Sequence, residues 1–198
     1  RVYADVGLER DIDVLWMGVR GTGRSSRLLD RVRRELRSYG IEIYFADNEE
    51  NPFIFRETRT RFLNRAKITL NITRTWYDDN FSRFAFAIPN RSLVVSEPVL
   101  PHCPQYEAGV HYVSAPIDRL AESIVYYLTH DEERQSIVEN AYRLVTTGLA
   151  FRRSMARLMD GVIEHRNQNA PESALTDLGR RVPSVQGKAI ASKGCLER

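Results

Sequence analysis

Apolar residues along the chain fall into two alternating rhythms. Ile12 to Met17 (IDVLWM) is an apolar run closed by Gly18, the mark of a strand covered on both faces. A helix follows, with Leu28, Leu29, Val32 and Leu36 as its buried stripe, Ser25 or Ser26 as its cap and Gly40 at its end. Ile41 to Ala46 predicts a second strand, Phe55 to Ala66 a second helix and Ile68 to Ile72 a third strand. Phe81 to Ile88 predicts a short helix stopped by Pro89 and Asn90, and Leu93 to Ser96 a fourth strand. A proline-rich loop spans Glu97 to Gly109, and Val110 to Val113 reads as a short fifth strand. Three helices then close the pattern: Pro116 to Leu128, Asp131 to Val145 with Asp131 as cap, and roughly Phe151 to His165.

Strands alternating with helices imply an α/β fold with a doubly wound, mostly parallel sheet and extra C-terminal helices. The expected organisation is a lead-in over residues 1–10, one domain over 11–165, and a flexible tail over 166–198 that lacks period and aromatics. In such sheets ligands sit beyond the carboxyl ends of the strands, so the informative loops start at Gly18, Asp47, Thr73, Ser96 and Val113.

Composition narrows the classes. A chain of 198 residues, 42% hydrophobic, builds one good core and not two. Its apolar runs are far shorter than the roughly 20 residues of a membrane span, and no leader precedes them, so a soluble, cytoplasmic protein is expected. The chain opens on Arg1 rather than methionine, from which we expect a trimmed or processed piece with more chain upstream. Cys103 and Cys195 stand far apart without a second cysteine nearby, which argues against a disulfide framework or a cysteine zinc site. With 29 basic against 26 acidic residues, overall charge does not announce a nucleic-acid protein. Distribution says more: seven arginines lie between Val19 and Arg37 (residues 20, 24, 27, 31, 33, 34 and 37) against Asp30 and Glu35. The face formed by Arg24, Arg27, Arg31 and Arg34 lacks the interleaved aromatics of a nucleic-acid surface.

The loop Gly18-Val-Arg-Gly-Thr-Gly-Arg-Ser-Ser offers Gly18, Gly21, Arg20 and Arg24 near a helix start. Backbone N–H groups, the positive end of a helix and guanidinium forks suit a diphosphate; the alternative is an ordinary glycine turn before a solvated basic helix. The spacing Gly18, Gly21, Gly23 is neither the dinucleotide fingerprint nor a P-loop. Asp47 ends the second strand, where a ribose-accepting acid of a nicotinamide-binding fold would stand. Trp76 and Tyr77 offer faces for a base or sugar ring, or else a roof over the core. His102, His111 and His130 share no ligand spacing, and Asp11-Ile12-Asp13 lies at the wrong end of its strand for a metal at the ligand edge.

The stretch KITLNITRTWYDDNFSRFAFAIPNRSLVVSEPVLPHCPQYEAGVHYV, Lys67 to Val113, resembles the group 1 glycosyltransferase-like proteins of bacteria. There a strand ending in LNI precedes a variable loop, an Arg-led helix, an Asn-containing turn and VVSE. The family's "G..YV" and "YYL.H..ER..I...AY" are matched by the segment ending at Val113 and by YYLTHDEERQSIVENAY at Tyr126 to Tyr142. The likeness runs from about Asp11 to Asp160. It implies a Rossmann-like, donor-binding half of a two-domain (GT-B) glycosyltransferase, with Arg83, Ser96 and Glu97 beside the donor cleft. A nucleoside-diphosphate sugar would be the substrate, no cofactor or metal would be needed, and an N-terminal acceptor domain or partner chain would complete the site. By its position at a strand end, Glu97 either accepts from ribose or sugar hydroxyls or is a loop carboxylate paired with Arg83 or capping a turn. Arg83 is either a diphosphate contact or a structural ion pair. Retaining relatives carry two glutamates separated by seven residues; the matching positions here are Asp78, which can replace the first, and Phe86, whose ring cannot accept a hydroxyl bond.

The expected function is therefore transfer of a sugar from a nucleoside-diphosphate donor to an acceptor held elsewhere. The alternatives are a non-catalytic nucleotide- or nucleic-acid-binding module on the same fold and, more weakly, an NAD-dependent dehydrogenase domain.

Overall fold

A computed structural model describes residues 4–20, 23–75, 82–100, 106–149 and 151–169. Among these residues the helices and strands are β1 (Ile12–Met17), α1 (Arg24–Arg37), β2 (Ile43–Ala46), α2 (Arg56–Arg65), β3 (Ala66–Asn71), α3 (Ser82–Ala87), β4 (Leu93–Ser96), β5 (Val113–Ser114), α4 (Leu120–Thr129), α5 (Asp131–Arg143) and α6 (Phe151–Asn169). The five strands form one sheet in the order β2-β1-β3-β4-β5, every neighbouring pair parallel. The expected doubly wound sheet is present, and it is wholly rather than mostly parallel.

Parallel strands covered on both sides must be apolar on both sides, and they are. Val14, Trp16, Phe45, Leu70 and Val95 join one buried cluster with Leu29, Val32 and Leu36 of α1 and Ile124 of α4. Leu15, Ala46 and Val94 join the other with Leu63 of α2 and Phe84 and Ala87 of α3. Helix α5 serves both, giving Ile137 and Val138 to the first and Ala141 to the second. Full burial of each such aliphatic side chain contributes about 1.5–3 kcal/mol.

Several boundaries differ from those the pattern suggests, each for a local reason. Helix α1 starts at Arg24 behind an extended Gly23 with no side-chain cap, so Ser25 and Ser26 lie inside the first turn instead of capping it. Its end is as expected: Gly40 takes φ +74°, which lets its N–H reach Arg37 O at 3.0 Å and that of Ile41 reach Leu36 O at 3.1 Å. Helix α5 has His130 rather than Asp131 at its cap; Asp131 instead pairs with Arg134 one turn on. Val110 and His111 turn rather than extend, because their N–H groups return to Glu107 O, and Tyr112 only bridges to Ala108. Helix α4 begins only at Leu120, and α5 passes into a π-helical turn, Leu144–Gly148.

The lead-in is tied to the amino edge of the sheet. Asn64 accepts from Val6 N at 2.6 Å and donates to Ala4 O at 3.0 Å and to Asn90 Oδ1 at 2.7 Å. Arg10 donates to the carbonyls of Ala66 at 2.6 Å, Asn90 at 2.9 Å and Leu63 at 3.3 Å.

The chain divides into two compact units, Arg1–Ala150 and Phe151–Arg198. In the second, α6 continues through Arg166 to Asn169, four residues into the expected tail; the rest of that tail lies outside the described residues. Among the described residues no helix is long and apolar enough to cross a membrane.

Candidate functional site

The strand order fixes where a ligand crevice opens. From β1 the chain crosses to β2 on one side, and the next strand, β3, lies on the other side of β1, so the β1–β3 boundary is the switch point. Loops leaving there diverge and expose the carboxyl ends of both strands.

Arg83 is fastened across that point. From the first turn of α3 its Nε donates to Met17 O and its Nη1 to Asn71 Oδ1, both at 2.9 Å, and the guanidinium lies 5.3 Å from the Trp16 ring. A Cβ on Gly18 would come within 2.8 Å of Arg83 Nη2 and 3.2 Å of the Trp16 ring; Gly18 also has φ +155°. The glycine is what permits the guanidinium to come this close to the strand end. Register places Asn71 beside Ser96, and Asn71 Nδ2 donates to Ser96 Oγ at 2.9 Å while that hydroxyl donates to Glu97 O at 2.6 Å. Asn71 and Ser96 are fully buried, so Ser96 supports the edge from below and does not line it.

Glu97 belongs to a second, adjoining network. It is 4% exposed, and its Oε1 accepts from Arg24 Nη2 at 2.5 Å while its Oε2 accepts from Arg24 Nη1 and Thr73 N, both at 3.1 Å. Arg24 Nη1 also donates to Thr73 O at 3.0 Å. Hydrogen bonding to Glu97 raises the Arg24 pKa above its ordinary value. The carboxylate is thus paired with Arg24 rather than with Arg83, and it does not border the open cleft.

Arg20 turns toward β2. Its guanidinium lies 3.3 Å from Asp47 Oδ2, 3.0 Å from Glu50 Oε1 and 4.4 Å from the Phe45 ring, and Arg33 covers the same ring at 4.7 Å. Asp47 is buried and accepts from the N–H groups of Glu49 at 2.9 Å and Glu50 at 2.8 Å. Burial pushes its pKa up, but those N–H groups with Arg20 outweigh it and hold the carboxyl below its usual range. Asp47 therefore caps its own loop, an arrangement unlike the open ribose acceptor that a nicotinamide site needs.

A cleft of about 350 Å³ opens beside Arg83, floored by Met17, Gly18 and Ala46 and walled by Phe55, Arg59 and Phe86. The Arg59 guanidinium lies between two rings, 4.5 Å from the centre of Phe86 and 5.5 Å from that of Phe55, and its Nε donates to Ile54 O at 3.1 Å. Phe86, which the family resemblance sets against a second glutamate, presents an aromatic ring to the cleft.

Of the expected site residues, Gly18 and Arg83 meet at the cleft, Arg24, Ser96 and Glu97 sit behind its rim, and Arg20 lies toward β2. Gly21, Trp76, Tyr77 and Asp78 lie outside the described residues, as do His102, Cys103 and Cys195. Asp11 and Asp13 are at the amino edge, paired with Arg65 and Lys67. Among the described residues no three His, Cys, Asp or Glu side chains come together as a metal site would require. The sequence reading singled out Thr73 only as the start of a loop, and neither Asn71 nor Arg59. Asn71 had a signal, being an amide at the end of the otherwise apolar ITLNI strand, where an unpaired polar group is costly and therefore has a partner.

Residues 24–160 match a family model described as glycosyl transferase-like. No curated protein matches the chain. Among solved structures, TarM superposes with a TM-score of 0.62 at 11% identity, covering 81% of this chain and 37% of its own. A mutant of S. aureus TarM in complex with fondaparinux, α-GlcNAc-glycerol and UDP gives 0.55 at 11% identity, covering 74% and 35%. Anabaena HepE in complex with UDP-glucose gives 0.50 at 10% identity, covering 69% and 44%. The chain thus spans less than half the length of these structures, and at such identities the likeness establishes the fold alone. With the family model covering over two thirds of its residues, the chain belongs to the glycosyl transferase-like family.

Proposed function

We propose that this chain is the donor-binding domain of a two-domain, GT-B-type glycosyltransferase, taking a nucleoside-diphosphate sugar at the β1–β3 crevice. The observation that carries the proposal is Arg83, held by Met17 O and Asn71 directly over Gly18 at the mouth of the cleft. The nearby start of α1 has no acidic residue in its first turn and no side-chain cap, so its N–H groups and dipole add to the attraction for a diphosphate without a metal ion. Family membership and the UDP and UDP-glucose in the names of two structural neighbours support the same reading. In transfer, the bond between the anomeric carbon and the diphosphate oxygen breaks, and the nucleoside diphosphate departs with the electron pair. An acceptor oxygen bonds to that carbon and gives up its proton. In this reading a partner domain or chain holds the acceptor; among the described residues lining the cleft there is no carboxylate or imidazole, and Asp78, Asp79 and His102 lie outside the described residues.

Calorimetric titration of the protein with UDP, GDP and ADP tests this. Saturable micromolar binding to one of them, lost in Arg83→Ala, is the expected result. Absence of binding by the unaltered protein to all three rejects it.

A second reading, a module that binds without turnover, is favoured by Phe86. Its ring packs on Arg59 where a carboxylate would contact the donor. Nucleotide binding with no sugar release or transfer in the full-length protein, and gain of either in Phe86→Glu, would select it. Steeply salt-dependent nucleic-acid binding without a nucleotide response would move the module's role to the arginine face of α1.

A further inference from the structure

Among the described residues two acids are buried at the carboxyl edge of the sheet, Asp47 and Glu97. The first caps its own loop. The second draws together three segments far apart in sequence: the first residue of α1, the loop after β3 and the end of β4. Its two oxygens take both terminal nitrogens of Arg24, at 2.5 and 3.1 Å, and the N–H of Thr73 at 3.1 Å. Arg24 closes the ring by donating to Thr73 O at 3.0 Å. The two partners differ in access: the Glu97 side chain is 6% exposed and that of Arg24 is 38% exposed. With its acceptor capacity directed inward and no place on the cleft surface, Glu97 is poorly arranged to receive a ligand hydroxyl. Arg24, by contrast, keeps over a third of its side chain exposed at the uncapped start of α1, behind the rim of the cleft.

We propose that Glu97 is a positioning residue that never touches the donor: it orients Arg24 so that this partly exposed side chain meets the donor's phosphates beside the first turn of α1. The inference rests on the donor-binding reading above. A bidentate carboxylate fixes the plane of a guanidinium, which neither a lone backbone carbonyl nor solvent would do. The cost of orienting the side chain is met during folding, so the phosphate encounters a pre-arranged donor. The role expected from the family pattern, recognition of ribose or sugar hydroxyls, gives way to one exerted on phosphate.

Inorganic pyrophosphate separates the two roles, because it carries the phosphates and none of the hydroxyls. Pyrophosphate and the best-bound nucleoside diphosphate are titrated into the unaltered protein, Arg24→Ala, Glu97→Ala and the double variant. We expect Glu97→Ala to weaken both ligands by the same factor, about tenfold for loss of one charge-assisted contact. The double variant should be no worse than either single one, the signature of residues acting as a unit. Glu97→Gln, which retains one accepting oxygen, should fall between, and it serves if Glu97→Ala does not fold. Nucleotide weakened with pyrophosphate unaffected overturns the proposal in favour of hydroxyl recognition. Lowered melting temperature with both affinities intact overturns it in favour of a purely structural pair. If the unaltered protein binds no nucleoside diphosphate, the donor-binding reading itself falls, and this proposal with it.

Discussion

Gly18→Ala tests the central geometry with a single methyl group. The added carbon would sit 2.8 Å from Arg83 Nη2 and 3.2 Å from two carbons of the Trp16 ring, on a backbone with φ +155°. The strained backbone costs about 1–3 kcal/mol. Trp16 is 3% exposed and packed 6.0 Å from Phe45, so the indole can yield only slightly. Arg83 Nη2 is the end of a flexible chain and moves instead, drawing the guanidinium away from Met17 O and Asn71. At about 2–4 °C per kcal/mol for a domain of this size, the melting temperature should fall by about 2–12 °C. Nucleoside-diphosphate affinity should drop about tenfold, the value of one charge-assisted hydrogen bond. Differential scanning calorimetry and isothermal titration read the two effects separately. Introducing the same change into Arg83→Ala isolates the steric term: with the guanidinium gone, the alanine should destabilise less than in the unaltered background. A Gly18→Ala protein with unchanged melting temperature and unchanged nucleotide affinity would refute the reasoning.

Three further outcomes follow from the same structure. Asn71→Ala removes the acceptor for Arg83 and the donor to Ser96; it should cost about 1–3 kcal/mol in urea unfolding and weaken nucleotide binding as well. Asp47 has a folded-state pKa below its unfolded value, so its contribution is fully present above the unfolded value of about 3.9 and is lost as pH falls through the folded one. The stability advantage of the unaltered protein over Asp47→Asn should therefore be constant near neutrality and shrink below about pH 4, which unfolding at stepped pH would reveal. Leu70→Ala, near the carboxyl end of β3 and fully buried, should cost about 2–5 kcal/mol with little change in the denaturant slope.

What the sequence disclosed about the fold came from residues whose burial leaves few options. The apolar runs at β1, β3 and β4 had to be covered on both faces, and Gly40 had to end α1, so element order and sheet type were legible. Boundaries were less so, because they depend on distant partners. Ser25 and Ser26 look like caps until Glu97, 73 residues downstream of Arg24, holds Arg24 in the first turn. The site shows the same division. Gly18 and Arg83 were identifiable from a strand-end glycine and the family-like pattern, and they do meet. That Glu97 would take Arg24 rather than Arg83, and that Arg20 would turn to Asp47 and Phe45, is decided by which guanidinium reaches which carboxylate in space, and spacing along the chain carries no such information. Phe86 was visible as a departure; its packing against Arg59 was not.

The anchored lead-in gives the domain a closed floor. Arg10 takes the carbonyls of Leu63, Ala66 and Asn90 while Asn64 takes that of Ala4, so the lead-in is fastened at one end of the sheet and the crevice opens at the other. Engineering should respect this polarity. A fusion partner joined ahead of Ala4 keeps this fastening, whereas trimming to Asp11 strips three carbonyls of their guanidinium and exposes the underside of the core. A shortened protein of that kind should lose solubility before it loses any affinity for nucleotide, because the damage lies at the end of the sheet remote from the crevice.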